Sequence, residues 1–146
     1  MAPPMTKHIT KPIRAIHFLV LAFLMTLSSP VTAQDLREWY LKGTEYYYGF
    51  RVPKDYAEAV KWFRLAAEQG YANAQFFLGY LHEEGQGVLQ DNVKAHMWYN
   101  IVSANGDADA GGVRDEIAKK MTRADISKAQ AMARECMSSG YTKCGY

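Results

Sequence analysis

Residues 74–99 read AQFFLGYLHEEGQGVLQDNVKAHMWY, and this stretch with its flanks repeats landmarks that stand 36 residues earlier. Gly43, Gly49, Val52, Asp55, Ala59, Trp62, Phe63 and Gly70 return as Gly79, Gly85, Val88, Asp91, Ala95, Trp98, Tyr99 and Gly106. A period in the thirties marks a solenoid. Each unit is a helical hairpin that cannot bury its apolar face alone, so it stacks on its neighbours and presents a long curved surface. The pattern favours a binding scaffold over a catalyst.

Within the first full unit, Asp55 precedes a helical run over about 56–67, where an aspartate N-cap accepts a hydrogen bond from an otherwise unpaired backbone N–H and suits the positive helix end. Gly70 closes that helix, and the chain re-enters helix from about Ala72 to Glu84. Asp91 caps the next helix, about Asn92 to Ala104, and Gly106 stops it. Working outward, a first helix is expected over about Leu36 to Tyr48. Its polar version of the pattern, with Glu38 and Lys42 where Ala74 and Leu78 stand, suits a terminal repeat with a wetter face. On the C-terminal side, Ala108 to Lys120 reads as a helix weakened by Gly111-Gly112. Thr122-Arg123-Ala124-Asp125 resembles a capping box that opens a last helix to about Ser138.

The first 33 residues have a different composition. Lys7, Lys11 and Arg14 precede an apolar run from Ala15 to Leu27, and Val31-Thr32-Ala33 follows with small residues. A helix needs roughly 20 residues to span a bilayer core, so the 13-residue run fits a cleaved signal peptide over residues 1–33 better than an anchor. The mature chain is expected to start at Gln34 and to form one domain over 34–146, in the periplasm or secreted. No stable membrane insertion is expected after cleavage. Without its three leader cations the chain has 14 basic and 15 acidic residues, a net charge of −1. Nothing in that balance points to nucleic acid.

Candidate chemistry is sparse. The two histidines after the leader, His82 and His96, fall in the patterns of different helices, whereas a zinc site needs three or four convergent ligands. Ser103 stands where the first repeat has Ala67, a packing position. No nucleophile-elbow or phosphate-loop motif occurs, so neither catalytic residues, a metal nor a cofactor is expected.

The quoted motifs, Ala74-Gln75-Phe76-Phe77-Leu78-Gly79, Glu84-Gly85-Gln86-Gly87-Val88 and Asp91-x3-Ala95-x2-Trp98-Tyr99, resemble the Sel-one-like repeats, relatives of the tetratricopeptide repeat. Gly43 to Gly70 is similar to a second copy. The resemblance implies an all-α α-solenoid of antiparallel helix pairs in a right-handed superhelix, with repeats over about 41–70, 71–106 and a degenerate 107–140. It also implies an adaptor that holds a protein or peptide partner on its concave face. One departure is His82, where the family usually has an aromatic, as the first repeat has in Tyr46. A hydrolase directed at cell wall or β-lactams, as suspected for some cysteine-rich relatives, is the alternative, although no nucleophile, base and orienter can be assembled here.

Two further expectations follow from the resemblance. In the second repeat Ala74, Leu78, Gly79 and His82 form the packing side, and Asn73, Phe76, Tyr80, Glu83 and Glu84 match the concave, ligand-lining positions. Subtracting the period gives Arg37, Tyr40, Thr44, Tyr47 and Tyr48. Such aromatic wealth suits an interface, although some of these rings could instead cover the core. Cys136 and Cys144 correspond to Ala66 and Ala74 if Gly140 matches Gly70. Free thiols and a redox pair remain open from the residues alone, and similarity to cysteine-rich secreted members implies a structural disulfide between neighbouring helices.

Overall fold

A computed structural model describes residues 30–145. The expected signal peptide, residues 1–33, lies outside the described residues except for its last four positions. The described residues form six helices: α1 (Ala33–Tyr48), α2 (Tyr56–Ala67), α3 (Ala72–Glu84), α4 (Asn92–Ala104), α5 (Ala108–Ala118) and α6 (Arg123–Ser138). Their starts are chemical. Asp55 accepts the Glu58 N–H at 3.0 Å, and Asp91 accepts those of Val93 and Lys94, both at 3.0 Å. Asp107 accepts the Ala110 N–H at 2.8 Å. The Thr122 hydroxyl accepts the Asp125 N–H at 3.1 Å and donates to the Asp125 carboxylate at 2.7 Å.

The sequence period is also a period of backbone hydrogen bonds. The Asp55 N–H donates to the Tyr46 carbonyl at 3.0 Å, and the Asp91 N–H to the His82 carbonyl at 2.9 Å. Phe50 donates to Glu45 at 2.9 Å as Gln86 does to Leu81 at 3.0 Å, and Tyr71 donates to Ala66 at 3.1 Å as Asp107 does to Val102 at 3.3 Å. In the third unit Tyr141 makes the equivalent bond to Cys136 at 2.8 Å. Each turn therefore folds back on its helix in the same way, which sets successive helices antiparallel. Gly87 marks the closest passage. Its φ is +72°, and a Cβ there would stand 2.4 Å from the Tyr56 carbonyl, so only glycine fits.

From α1 to α5 the helices pack in sequence order, α1 on α2, α2 on α3, α3 on α4 and α4 on α5, and α6 packs chiefly on α4. Two glycines let large rings approach. A Cβ at Gly43 would stand 2.6 Å from Phe63, and one at Gly79 would stand 2.7 Å from Tyr99. The main core joins Ala59, Phe63, Ala66, Leu78, Trp98 and Ala133, all fully buried. Burying each large apolar side chain contributes about 1.5–3 kcal/mol. A smaller cluster of Ala95, Tyr99 and Ile117 seats α5. Ala74, Leu78, Gly79 and His82 are all buried, as the packing side requires.

Helix limits differ from the sequence reading at two places. α1 starts at Ala33 rather than about Leu36, because Thr32 forms a reciprocal capping box with Asp35. α5 stops at Ala118 rather than Lys120, where Lys119, Lys120 and Met121 bond three residues back to Glu116, Ile117 and Ala118, a tightening that ends the helix. Cys136 and Cys144 are joined as a disulfide with Cα atoms 4.5 Å apart, and both sit in the main core. Because Cys144 lies beyond α6, the bridge ties the last residues to that helix rather than joining two neighbouring helices. The bridge holds residues 139–145 against α6, and Tyr141 lies 3.0 Å from the space a Cβ on Gly70 would fill.

Candidate interaction groove

Residues one period apart share a face, so α1 and α3 present matching side chains side by side, and α5 follows. Two clefts open on this face. One, of about 300 Å³, is lined by Tyr40, Ala72, Asn73, Phe76, Phe77, Asp107 and Asp109. The other, of about 260 Å³, is lined by Tyr47, Tyr48, Phe76, Phe77 and Tyr80. Phe76 and Phe77 border both, which makes the clefts one groove.

The rings are held by one another. Phe77 stacks on Phe63 at 4.8 Å, and Tyr40 meets Phe63 and Phe77, each at 5.8 Å, with Tyr71 at 5.4 Å. Tyr47 meets Tyr48 at 4.7 Å, Tyr56 at 5.3 Å, Phe77 at 5.6 Å and Tyr80 at 6.3 Å. Tyr40 and Tyr47 therefore both line the groove and cover the core. Tyr48 is 64% exposed. Burial, and then a hydrogen bond with Tyr80, raise the Tyr47 hydroxyl well above the ordinary tyrosine range. Burial, and then Tyr71, raise Tyr40. Tyr40 and Tyr47 are thus held as neutral hydrogen-bonding groups on an apolar bed.

Of the ten residues placed on the concave face from sequence, Tyr40, Tyr47, Tyr48, Asn73, Phe76 and Tyr80 line these clefts. Arg37, Thr44, Glu83 and Glu84 do not. Arg37 and Glu84 are exposed. The Thr44 hydroxyl turns back to donate to the Leu41 carbonyl at 2.6 Å. Glu83 accepts from the Tyr99 hydroxyl at 3.1 Å and lies 3.7 Å from Lys120, so its charge serves the α3–α4–α5 junction. Sequence reasoning missed Phe77, Ala72, Asp107 and Asp109. Adding the period to Asn73 reaches Asp109, whereas Asp107 is visible only as a cap.

His82 and His96 are buried on α3 and α4. Burial, then Lys94, lowers His82 below the ordinary histidine value, and burial, then Arg114, lowers His96. His82 borders a separate cleft of about 400 Å³ with Arg64, Val88, Leu89, Gln90, Asp91 and Lys94. Among the described residues, no helix is long and apolar enough to cross a membrane.

Residues 38–71 and 72–107 each match the Sel1 repeat. The chain is 42% identical over 71 residues to chitin synthase regulatory factor 3 of Schizosaccharomyces pombe, covering 49% of this chain and 7% of that protein. It is 40% identical over 70 residues to the ERAD-associated E3 ubiquitin-protein ligase component HRD3A of Arabidopsis thaliana, covering 48% of this chain and 10% of that protein. The chain thus spans a tenth or less of either relative's length. A protective antigen of uropathogenic Escherichia coli with an SLR fold superposes with a TM-score of 0.67 at 25% identity, over 82% of this chain and 30% of its own. With the 36-residue period repeated in caps, turns and packing, residues 38–71 and 72–107 are two consecutive Sel1 repeats.

Proposed function

We propose that the chain is a protein-interaction scaffold that works in the periplasm or as a secreted protein and holds a peptide or protein segment in the groove of α1 and α3. The observation that carries this reading is the continuous bed of rings from two successive repeats, ending in the exposed Tyr48. A merely solvated face would favour lysine and glutamate, whereas tyrosine supplies rigid contact area with a polar tip. Two relatives are by name a regulatory factor and a ligase component, which favours a scaffold over a catalyst. The Cys136–Cys144 bridge supports an oxidising compartment, as does the basic-then-apolar start of the chain, with the mature protein beginning at Gln34.

The test is capture of proteins from envelope extract by the wild-type protein and by Tyr48→Ala and Tyr80→Ala variants, which spare the more deeply packed Tyr40 and Tyr47. Capture should be lost in the variants while their thermal midpoints stay close to wild type. Undiminished capture would move the binding face elsewhere, and turnover of wall fragments or a β-lactam in parallel assays would favour a hydrolase. Intact mass from the envelope fraction should begin at Gln34. A membrane-bound species retaining Met1 would replace the secreted reading with an anchored one.

A further inference from the structure

We propose that the 260 Å³ cleft is a cage for a cation, and that the segment held in the groove is basic, with an arginine or lysine side chain lying over the rings of Tyr47, Tyr48 and Tyr80. The inference rests on the groove being the binding face.

Every side chain lining this cleft is aromatic: Tyr47, Tyr48, Phe76, Phe77 and Tyr80. An aromatic face carries the negative lobe of the ring quadrupole, and a cation within about 6 Å of it is attracted, more strongly where water is displaced. Several rings turned on one small space add their fields. Tyr47 stands edge-on to Tyr48 at 88° and to Tyr80 at 73°, so the rings form walls rather than a flat stack. The chain spends its own cations on other rings. Lys42 lies 4.4 Å from the Trp62 centroid, Arg51 lies 5.2 Å from Phe50, and Lys54 lies 5.5 Å from Tyr56. Among the described residues none lies over a cleft ring.

Charge along the groove points the same way. Past Phe76 and Phe77 the adjoining cleft ends on Asp107 and Asp109 from the start of α5. One Asp107 oxygen accepts the Ala110 N–H, and the ion pairs among the described residues involve neither aspartate. No basic side chain lines either cleft. A basic segment therefore meets ring faces at one end and carboxylates outside any of these ion pairs at the other. An acidic segment meets repulsion at those carboxylates, and an apolar one gains area without charge.

The probes are three capped pentapeptides, Gly-Arg-Gly-Arg-Gly, its norleucine analogue and its glutamate analogue, titrated into the full chain while tyrosine-ring NMR signals are followed. The arginine peptide should shift the Tyr47, Tyr48 and Tyr80 rings saturably, bind about fivefold or more tighter than the norleucine peptide, and weaken as salt is raised. Tyr80→Leu, which keeps apolar bulk, should narrow the preference for the arginine peptide to about two- to threefold, the share left to the carboxylates and the remaining rings. Asp109→Asn should weaken the arginine peptide by about two- to threefold. Equal affinity of the norleucine peptide for the wild-type chain overturns the cage, while loss of envelope-protein capture in Tyr48→Ala still upholds the groove. Preference for the glutamate peptide, or no ring shift with the arginine peptide, also overturns the cage.

Discussion

Gly79 stands where a Cβ would press to 2.7 Å on Tyr99, and Gly43 does the same to Phe63 at 2.6 Å. Alanine gains about 1 kcal/mol over glycine in a helix interior, but overpacking a filled core costs roughly 1–3 kcal/mol. Both rings are fully buried and cannot swing aside, so overpacking wins. Gly79→Ala should lower stability by about 1–2 kcal/mol in urea unfolding, and a stabilised variant would show that the ring has room to move. His82 provides a second residue-scale expectation. Burial, and then Lys94, hold its folded-state value below the ordinary one, so the unfolded chain binds the proton first as pH falls. The stabilisation is complete above about pH 6.5 and is lost as pH falls from there through the folded-state value. His96 acts in the same direction. The thermal midpoint should fall from about pH 7 to 5, and His82→Tyr, which supplies the ring that Tyr46 gives the first repeat, should make the fall shallower. An unchanged slope would show that His82 takes up its proton without loss of the fold. Glu83 shows what residue-level reading cannot reach: its place on the helix wheel is right for the groove, yet the Tyr99 hydroxyl, 16 residues on, claims its carboxylate.

Caps made the helices legible. Asp55, Asp91 and Thr122 announce α2, α4 and α6 in the sequence and make the expected hydrogen bonds in the structure. The start of α1 was hidden because its cap, Thr32, lies within the segment read as the signal peptide, where it also serves the expected cleavage motif. Removal of residues 1–33 would take that cap away, and the first turn of α1 would fray while Tyr40, Gly43 and Tyr47 keep their packing. The C-terminal strap is a clearer test at this scale. Cys136–Cys144 closes a loop of sequence separation 8, and the chain-entropy relation assigns such a closure about 2.5 kcal/mol. The strap also contributes Tyr141, packed over Gly70, with its hydroxyl accepting from Asn105 at 3.2 Å. Cys136→Ala/Cys144→Ala should therefore lose about 2–3 kcal/mol of unfolding free energy, read from a shifted denaturation midpoint. A midpoint unchanged from wild type would mean that helix packing alone positions the strap.

The groove emerges only from the whole stack. Helical periodicity places Tyr40, Tyr47, Phe76 and Tyr80 on one face, but the third wall comes from Asp107 and Asp109, which reach the groove because α5 packs on α4. Phe77 was the harder miss. By spacing it sits beside the packing side, yet its ring stacks on Phe63 and also lines both clefts. A residue can serve core and groove at once, which a two-sided helix wheel does not represent. The same continuity bears on unfolding. Repeat stacks bound only through nearest neighbours can lose end units separately, and helix pairing here runs in sequence order from α1 to α5. Against that, one core joins Ala59 of α2, Leu78 of α3, Trp98 of α4 and Ala133 of α6. Trp39 and Trp62 report on the first hairpin and Trp98 on the middle of the stack. Urea transitions followed by tryptophan fluorescence and by far-ultraviolet circular dichroism should therefore coincide in a single step. A dichroism transition that begins before the fluorescence changes would instead show α5 and α6 melting ahead of the two Sel1 repeats.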